Sequence, residues 1–123
     1  MAGAALVVTA LLPILASSRA TGTQTPREIR IVVRDMTFYV DGHDEPNPTL
    51  RVRAGEQIRL VLRNDDPGMS HDFAVKSWQV MTPLVTARGA ETAVVFRVPQ
   101  RRGSYTFSCT PHARIMRGTI QVE

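Results

Sequence analysis

The stretch that most narrows the choice of fold is Ile58-Arg59-Leu60-Val61-Leu62-Arg63. Its period of two puts Ile58, Leu60 and Leu62 on one face of an extended strand and Arg59 and Arg63 on the other. A helix cannot sort these residues that way. The same alternation recurs at Ile29, Ile31 and Val33, at Met36, Phe38 and Val40, and at Leu50 and Val52. It returns at Phe73 and Val75, from Ala93 to Val98, from Tyr105 to Cys109, and from Thr119 to Val122. Turn formers separate these runs: Asp41 to Pro48, Ala54-Gly55-Glu56, Asn64-Asp65-Asp66-Pro67-Gly68, Pro99, and Arg101-Arg102-Gly103. Trp78 to Gly89 reads as a long loop whose Val80, Leu84 and Val85 must be buried. Seven to eight short strands without an amphipathic helix predict an all-β fold, a β-sandwich of Greek-key type.

The chain has 123 residues, room for one domain. With 43% hydrophobic and 21% charged residues it has enough apolar surface to build a core, so a disordered chain is excluded. The apolar run from Ala2 to Ala16 is short for a membrane span and suits the central region of a secretory signal. Ser18-Arg19-Ala20 places small residues where cleavage would occur, although no Lys or Arg precedes the run. Residues 1–20 are therefore expected to be a signal peptide or an uncleaved anchor, 21–27 a flexible lead-in and 28–123 the folded domain. Export to the periplasm or beyond follows, with membrane attachment only if the segment is retained. The 15 basic against 11 acidic residues give a net charge of +4. Arginines spread along strands, without interleaved aromatics, argue against nucleic-acid binding and for a solvated sheet face.

Chemistry concentrates near the end of the chain. Cys109, the single cysteine, is followed at short spacing by His112 and Met116. One cysteine in an exported protein cannot close an internal disulfide, so it is a buried spectator, an intermolecular link, or a reactive or metal-bound thiolate. A thiolate, an imidazole and a thioether in one loop are ligands for copper, and a His₂Cys set with a weak axial Met is the blue-copper arrangement. A second imidazole must come from elsewhere. His43 lies in an acidic, Pro-rich loop where a histidine is ordinarily solvated. His71 follows the strand break at Asn64–Gly68 and opens a new apolar alternation. It thus sits at a strand end, as Cys109 does, and is the better candidate.

These residues carry a resemblance. The segments Asn64-Asp65-Asp66-Pro67-Gly68-Met69-Ser70-His71-Asp72-Phe73, Gly103-Ser104-Tyr105-Thr106-Phe107-Ser108-Cys109-Thr110-Pro111-His112 and Met116-Arg117-Gly118-Thr119-Ile120 resemble those of cupredoxins such as plastocyanin, amicyanin and pseudoazurin. The resemblance spans Glu28 to Glu123. It implies one type 1 copper ion with His71, Cys109 and His112 as equatorial ligands and Met116 as the axial one. Two departures stand out. Three residues separate His112 from Met116, between the four of plastocyanin-like loops and the two of amicyanin-like ones. Asp72 stands where many cupredoxins have Asn, and is expected to hydrogen-bond with Thr110 and hold Cys109 in place, as partners behind a metal's own ligands do.

The function so implied is single-electron transfer between protein partners, without enzymatic turnover. There is no Gly-rich phosphate loop and no nucleophile–base pair apart from the proposed metal ligands. A four-ligand cage also leaves no open position for hydrolysis. His112 is the expected electron port, ringed by Pro67, Met69, Pro111 and Ile115 as an apolar collar for a transient redox partner, a cytochrome or oxidoreductase. Arg114 and Arg117 suit an acidic partner. The protein is expected to be a monomer. The alternative is an exported copper carrier, chaperone or storage protein, with Met36, Met69 and Met81 as extra thioethers. A binuclear copper site would need a second cysteine, and multicopper enzymes would need further domains.

Overall fold

The computed structural model describes residues 2–5 and 24–123, so the expected signal segment, apart from 2–5, lies outside the described residues. Among the described residues, nine strands form two sheets. They are β1 (Arg27–Arg34), β2 (Thr37–Val40), β3 (Thr49–Val52), β4 (Gln57–Asn64), β5 (Ala74–Val75), β6 (Val80–Met81), β7 (Glu91–Arg97), β8 (Gly103–Ser108) and β9 (Arg117–Val122). One sheet has the order β2-β1-β4-β7 and the other β3-β9-β8-β5-β6. Both are mixed: β1 runs parallel to β4 and β3 parallel to β9, while the remaining pairs are antiparallel.

The alternation read from β4 is realised. Ile58, Leu60 and Leu62 are buried, and Arg59 is exposed. They meet Ile31, Val33, Phe38, Leu50, Val52, Ile120 and Val122 in a single core between the sheets. Three phenylalanines form its centre. Phe73 and Phe107 stack with ring centroids 4.9 Å apart, and Phe38 meets Phe107 edge-on at 5.4 Å. Offset and edge-on pairs of this kind add about 0.5–1.5 kcal/mol beyond the area they bury.

Residue Phe107 pairs across the ladder with Gly118, and a Cβ at position 118 would lie 2.7 Å from the Pro48 carbonyl oxygen and against the Phe107 ring. The ring therefore occupies the space a side chain at 118 would need.

The strand not foreseen is β6, inside the stretch expected to be a loop. A 3₁₀ turn at Lys76–Trp78, closed by Gln79 at φ 55°, reverses the chain so that β6 returns along β5. Val85 is buried as expected, but Leu84 is 59% exposed, which corrects the expectation for that residue. Position 85 makes an isolated antiparallel bridge with His71 and faces inward, so its neighbour is turned to solvent.

The outer face of β1 and β4 holds the arginines in ion pairs: Arg59 with Glu28, Arg30 with Glu28 and Glu91, and Arg63 with Asp65. The solvated sheet face expected from the sequence is a lattice of opposite charges.

Candidate metal centre

Two strand ends meet at one pole of the sandwich. On β8, the period of two that sends Phe107 into the core sends Cys109 inward as well, and both are fully buried. On the segment leading into β5, His71 and Phe73 share that inward direction and are also fully buried. The metal pole is thus built directly on the stacked Phe73 and Phe107 rings, and Cys109 and His71 each stand two residues from one of them.

The backbone of His71 is fixed by its bridge to Val85, with hydrogen bonds of 2.9 Å in both directions. The loop before it is held by Asn64, a fully buried side chain at the end of β4. Its Nδ2 donates to the carbonyls of Met69 and Thr86, at 3.0 and 2.9 Å, and its Oδ1 accepts from the Asp66 N–H at 2.9 Å. The Cys109–Met116 loop closes on itself. The Cys109 N–H donates to the Met116 carbonyl, and the N–H groups of Ile115 and Met116 both donate to the His112 carbonyl.

The loops are joined by Asp72, which is buried and whose Oδ1 accepts from the Thr110 N–H at 2.6 Å. The expected partnership between these residues runs through the Thr110 backbone rather than its hydroxyl. That hydroxyl lies 3.7 Å from the Met81 sulfur, which accepts from it.

Within this frame Cys109 Sγ lies 3.7 Å from His71 Nδ1 and 3.5 Å from His112 Nδ1. The three ligand atoms all lie within 4.8 Å of one another. A metal that bonds nitrogen at about 2.0–2.1 Å and sulfur at about 2.3 Å, at trigonal to tetrahedral angles, separates such donors by about 3.6–3.8 Å. The two sulfur–nitrogen spacings fit one ion bound by the thiolate and both imidazoles. Met116 is fully buried within the same loop, while His43 is exposed and outside the cluster. Thiolate and thioether suit cuprous copper and imidazole suits cupric copper, so the donor set fits a single copper ion.

Burial pushes the Cys109 thiol above the ordinary cysteine range, opposed by hydrogen bonds from the Asp72 and His112 backbones. Burial also lowers the His71 imidazole below its ordinary range, against the attraction of Asp66 and with a further push from His112. Without metal both groups are neutral near pH 7, so loading the site displaces the thiol proton.

Of the collar residues, Pro67, Met69, Pro111 and Ile115 are all exposed, and His112 is half-buried. With Nδ1 turned to the sulfur, His112 also lines a surface depression together with Pro111, Ala113, Arg114 and Ile115. Met36 is packed against the core, whereas Met81 is exposed. Two residues that sequence reasoning did not single out are Asn64 and Asp66. The one signal for them was their place in a polar strand break directly before a ligand histidine.

A family model described as a cupredoxin-like domain matches residues 4–122. No curated protein sequence matches the chain. Among solved structures, the chain is similar to auracyanin A, a blue copper protein of the green thermophilic photosynthetic bacterium Chloroflexus aurantiacus. The TM-score is 0.62 at 18% identity, covering 80% of this chain and 100% of that one. An oxidised amicyanin variant gives a TM-score of 0.52 at 20% identity, with 77% and 81% covered. The metal-binding domain of CopA, a Cu(I)-exporting P-type ATPase of Streptococcus pneumoniae D39, gives 0.58 at 18%, with 78% and 84% covered.

Proposed function

Because the chain belongs to the cupredoxin-like domain family, we propose that it is a mononuclear type 1 copper protein that shuttles single electrons between partners outside the cytoplasm. The observation that carries this reading is the convergence of one thiolate and two imidazole nitrogens, spaced for one ion, at the rigid end of a β-sandwich. Bound copper supplies one-electron chemistry between its cuprous and cupric states. The protein's part is to hold the donors still, so that little rearrangement accompanies the electron. His71 is held by the Val85 bridge, Cys109 by the bond between Thr110 and Asp72, and His112 by the closed loop. Met116 is the axial donor in this reading. No residue acts on a substrate, and the protein is a carrier rather than an enzyme.

His112 is the electron port, and the partner docks on the surrounding collar. Met81 and Leu84, 58% and 59% exposed, extend the exposed apolar residues beyond those expected from the sequence. Redox encounters of this class are small and short-lived. Arg114 and Arg117 favour an acidic partner and make association faster at low salt. The apolar run before residue 20 serves as the export signal, or as an anchor if retained, and the exported domain works as a monomer.

A second reading, copper delivery, draws on the exposed thioethers of Met69 and Met81 and on the likeness to the CopA domain. Voltammetry of the copper-loaded protein beside a Cu(I) chelator separates the two. Electron transfer requires a reversible one-electron wave that survives chelator. Rapid loss of Cu(I) to the chelator, with no reversible wave, would replace it with delivery.

A further inference from the structure

Besides Asp72, a second buried carboxylate is tied into the metal centre without being one of its ligands. Asp66 is 7% exposed, and both of its carboxylate oxygens are engaged. Oδ1 accepts from the Asp35 N–H at 2.5 Å, and Oδ2 accepts from the Met36 N–H at 2.8 Å. Oδ2 also lies 3.1 Å from Nε2 of His71, a fully buried side chain. A carboxylate can only accept here, so Nε2 carries the proton and Nδ1 presents its lone pair toward Cys109, 3.7 Å away.

The other two donors belong to an unusual turn. Asp35 and Met36, between β1 and β2, have φ of 50° and 56°, a conformation that residues with a Cβ rarely adopt in succession. Their N–H groups converge on Asp66. A single carboxylate thereby links the left-handed turn of one sheet to a ligand of the metal pole. The loop supports this placement, since Asn64 holds the Asp66 backbone and the carbonyls on either side of His71's approach.

We infer that Asp66 is a positioning residue of the copper centre, which selects the His71 tautomer and fixes its ring against the Asp35–Met36 turn. The inference rests on the copper reading of the site, but its first test needs no metal. A hydrogen-bonded carboxylate behind a ligand imidazole fixes ring orientation and raises its basicity, and losing such a partner costs about 10–100-fold in metal affinity. The added basicity favours the cupric state.

In the metal-free protein, long-range ¹H–¹⁵N spectra should show His71 protonated at Nε2 alone, with a slowly exchanging proton. Asp66→Asn retains an acceptor oxygen and should keep that tautomer; Asp66→Ala should give fast exchange and mixed tautomers. With copper, both variants should raise the reduction potential. A tenfold loss of Cu(II) affinity relative to Cu(I) corresponds to about 59 mV in a one-electron couple.

Protonation of His71 at Nδ1 in the metal-free protein would overturn the inference. So would an Asp66→Ala protein that keeps the tautomer and potential and differs only in melting temperature, as a merely structural staple would. If no protein in the series forms a type 1 site, the copper reading fails, and the tautomer measurement still decides the role of Asp66.

Discussion

At the scale of single residues, the centre consists of polar groups that the core tolerates because each has a partner. His71 and Cys109 are fully buried, and burial favours the neutral form of both. Asp72 is the neighbour on which loop spacing depends, because it receives the Thr110 N–H one residue past the thiolate. Asp72→Ala should therefore leave a folded protein that holds Cu(II) about tenfold more weakly, measured by competition with a chelator of known affinity. Unchanged affinity would mean that Cys109 is positioned by the closed loop alone. Met116 acts differently. Replacing its thioether with an alkyl group of similar size, Met116→Leu, removes a weak donor. Although thioether sulfur suits cuprous copper, the more highly charged cupric ion loses more when any donor is taken away. The protein should stay blue and its reduction potential should rise. A fall in potential would remove Met116 from the axis.

At the scale of elements, the ligands could be found because Cys109, His112 and Met116 lie close together and His71 opens a new strand after a polar break. The period of two explains where two of them point. His71 and Phe73 alternate with Asp72, and Phe107 and Cys109 with Ser108, so the rule that buries the phenylalanines brings both ligands to the same interior. Of the two strands of two residues, β5 continues the alternation that starts at His71 and Phe73, but β6 lay beyond that rule. β6 has too few residues to show a period, and it exists because of the left-handed Gln79 and the pairing it permits. Leu84 was misassigned for a related reason: its inward neighbour is chosen by the bridge between Val85 and His71, a partnership distant in sequence. Asp66 stayed hidden because its three partners come from two separate segments.

The β8–β9 register sets a tight tolerance. Gly118→Ala must displace the Phe107 ring or the Pro48 carbonyl and should cost about 1–3 kcal/mol in denaturant unfolding, the usual cost of overfilling a packed site. An unchanged unfolding midpoint would show that the ring moves aside freely.

At the scale of the molecule, the two poles have separate tasks. The metal pole carries the ligands and the exposed Met69, Met81 and Ile115. The opposite pole is held by charge, where Arg27 makes a two-pronged contact with Glu56, with bonds of 2.7 and 3.1 Å. Glu56 also accepts from the Arg53 N–H at 2.7 Å. The Arg27 hydrogen bond is the largest of the effects that hold the Glu56 carboxyl below its ordinary range. A carboxyl with a lowered value in the fold stabilises it above the ordinary carboxylate range, and that contribution is lost as pH falls through the folded value. Glu56→Gln should therefore lower the melting temperature at pH 7, and the difference from the parent should shrink on acidification. Because Glu56 lies at the far pole, the copper spectrum should not change. A difference that grows in acid would reverse the sign of this linkage.

The central claim is that His71, Cys109 and His112 hold one copper ion in a type 1 site. It is tested most directly by adding Cu(II) to the purified protein and to its Cys109→Ser variant, then recording visible absorption and electron paramagnetic resonance. The parent should turn intensely blue through thiolate-to-copper charge transfer and show the narrow hyperfine splitting of a covalent Cu–S bond, and Cys109→Ser should show neither. A colourless parent with an ordinary cupric signal would contradict the account.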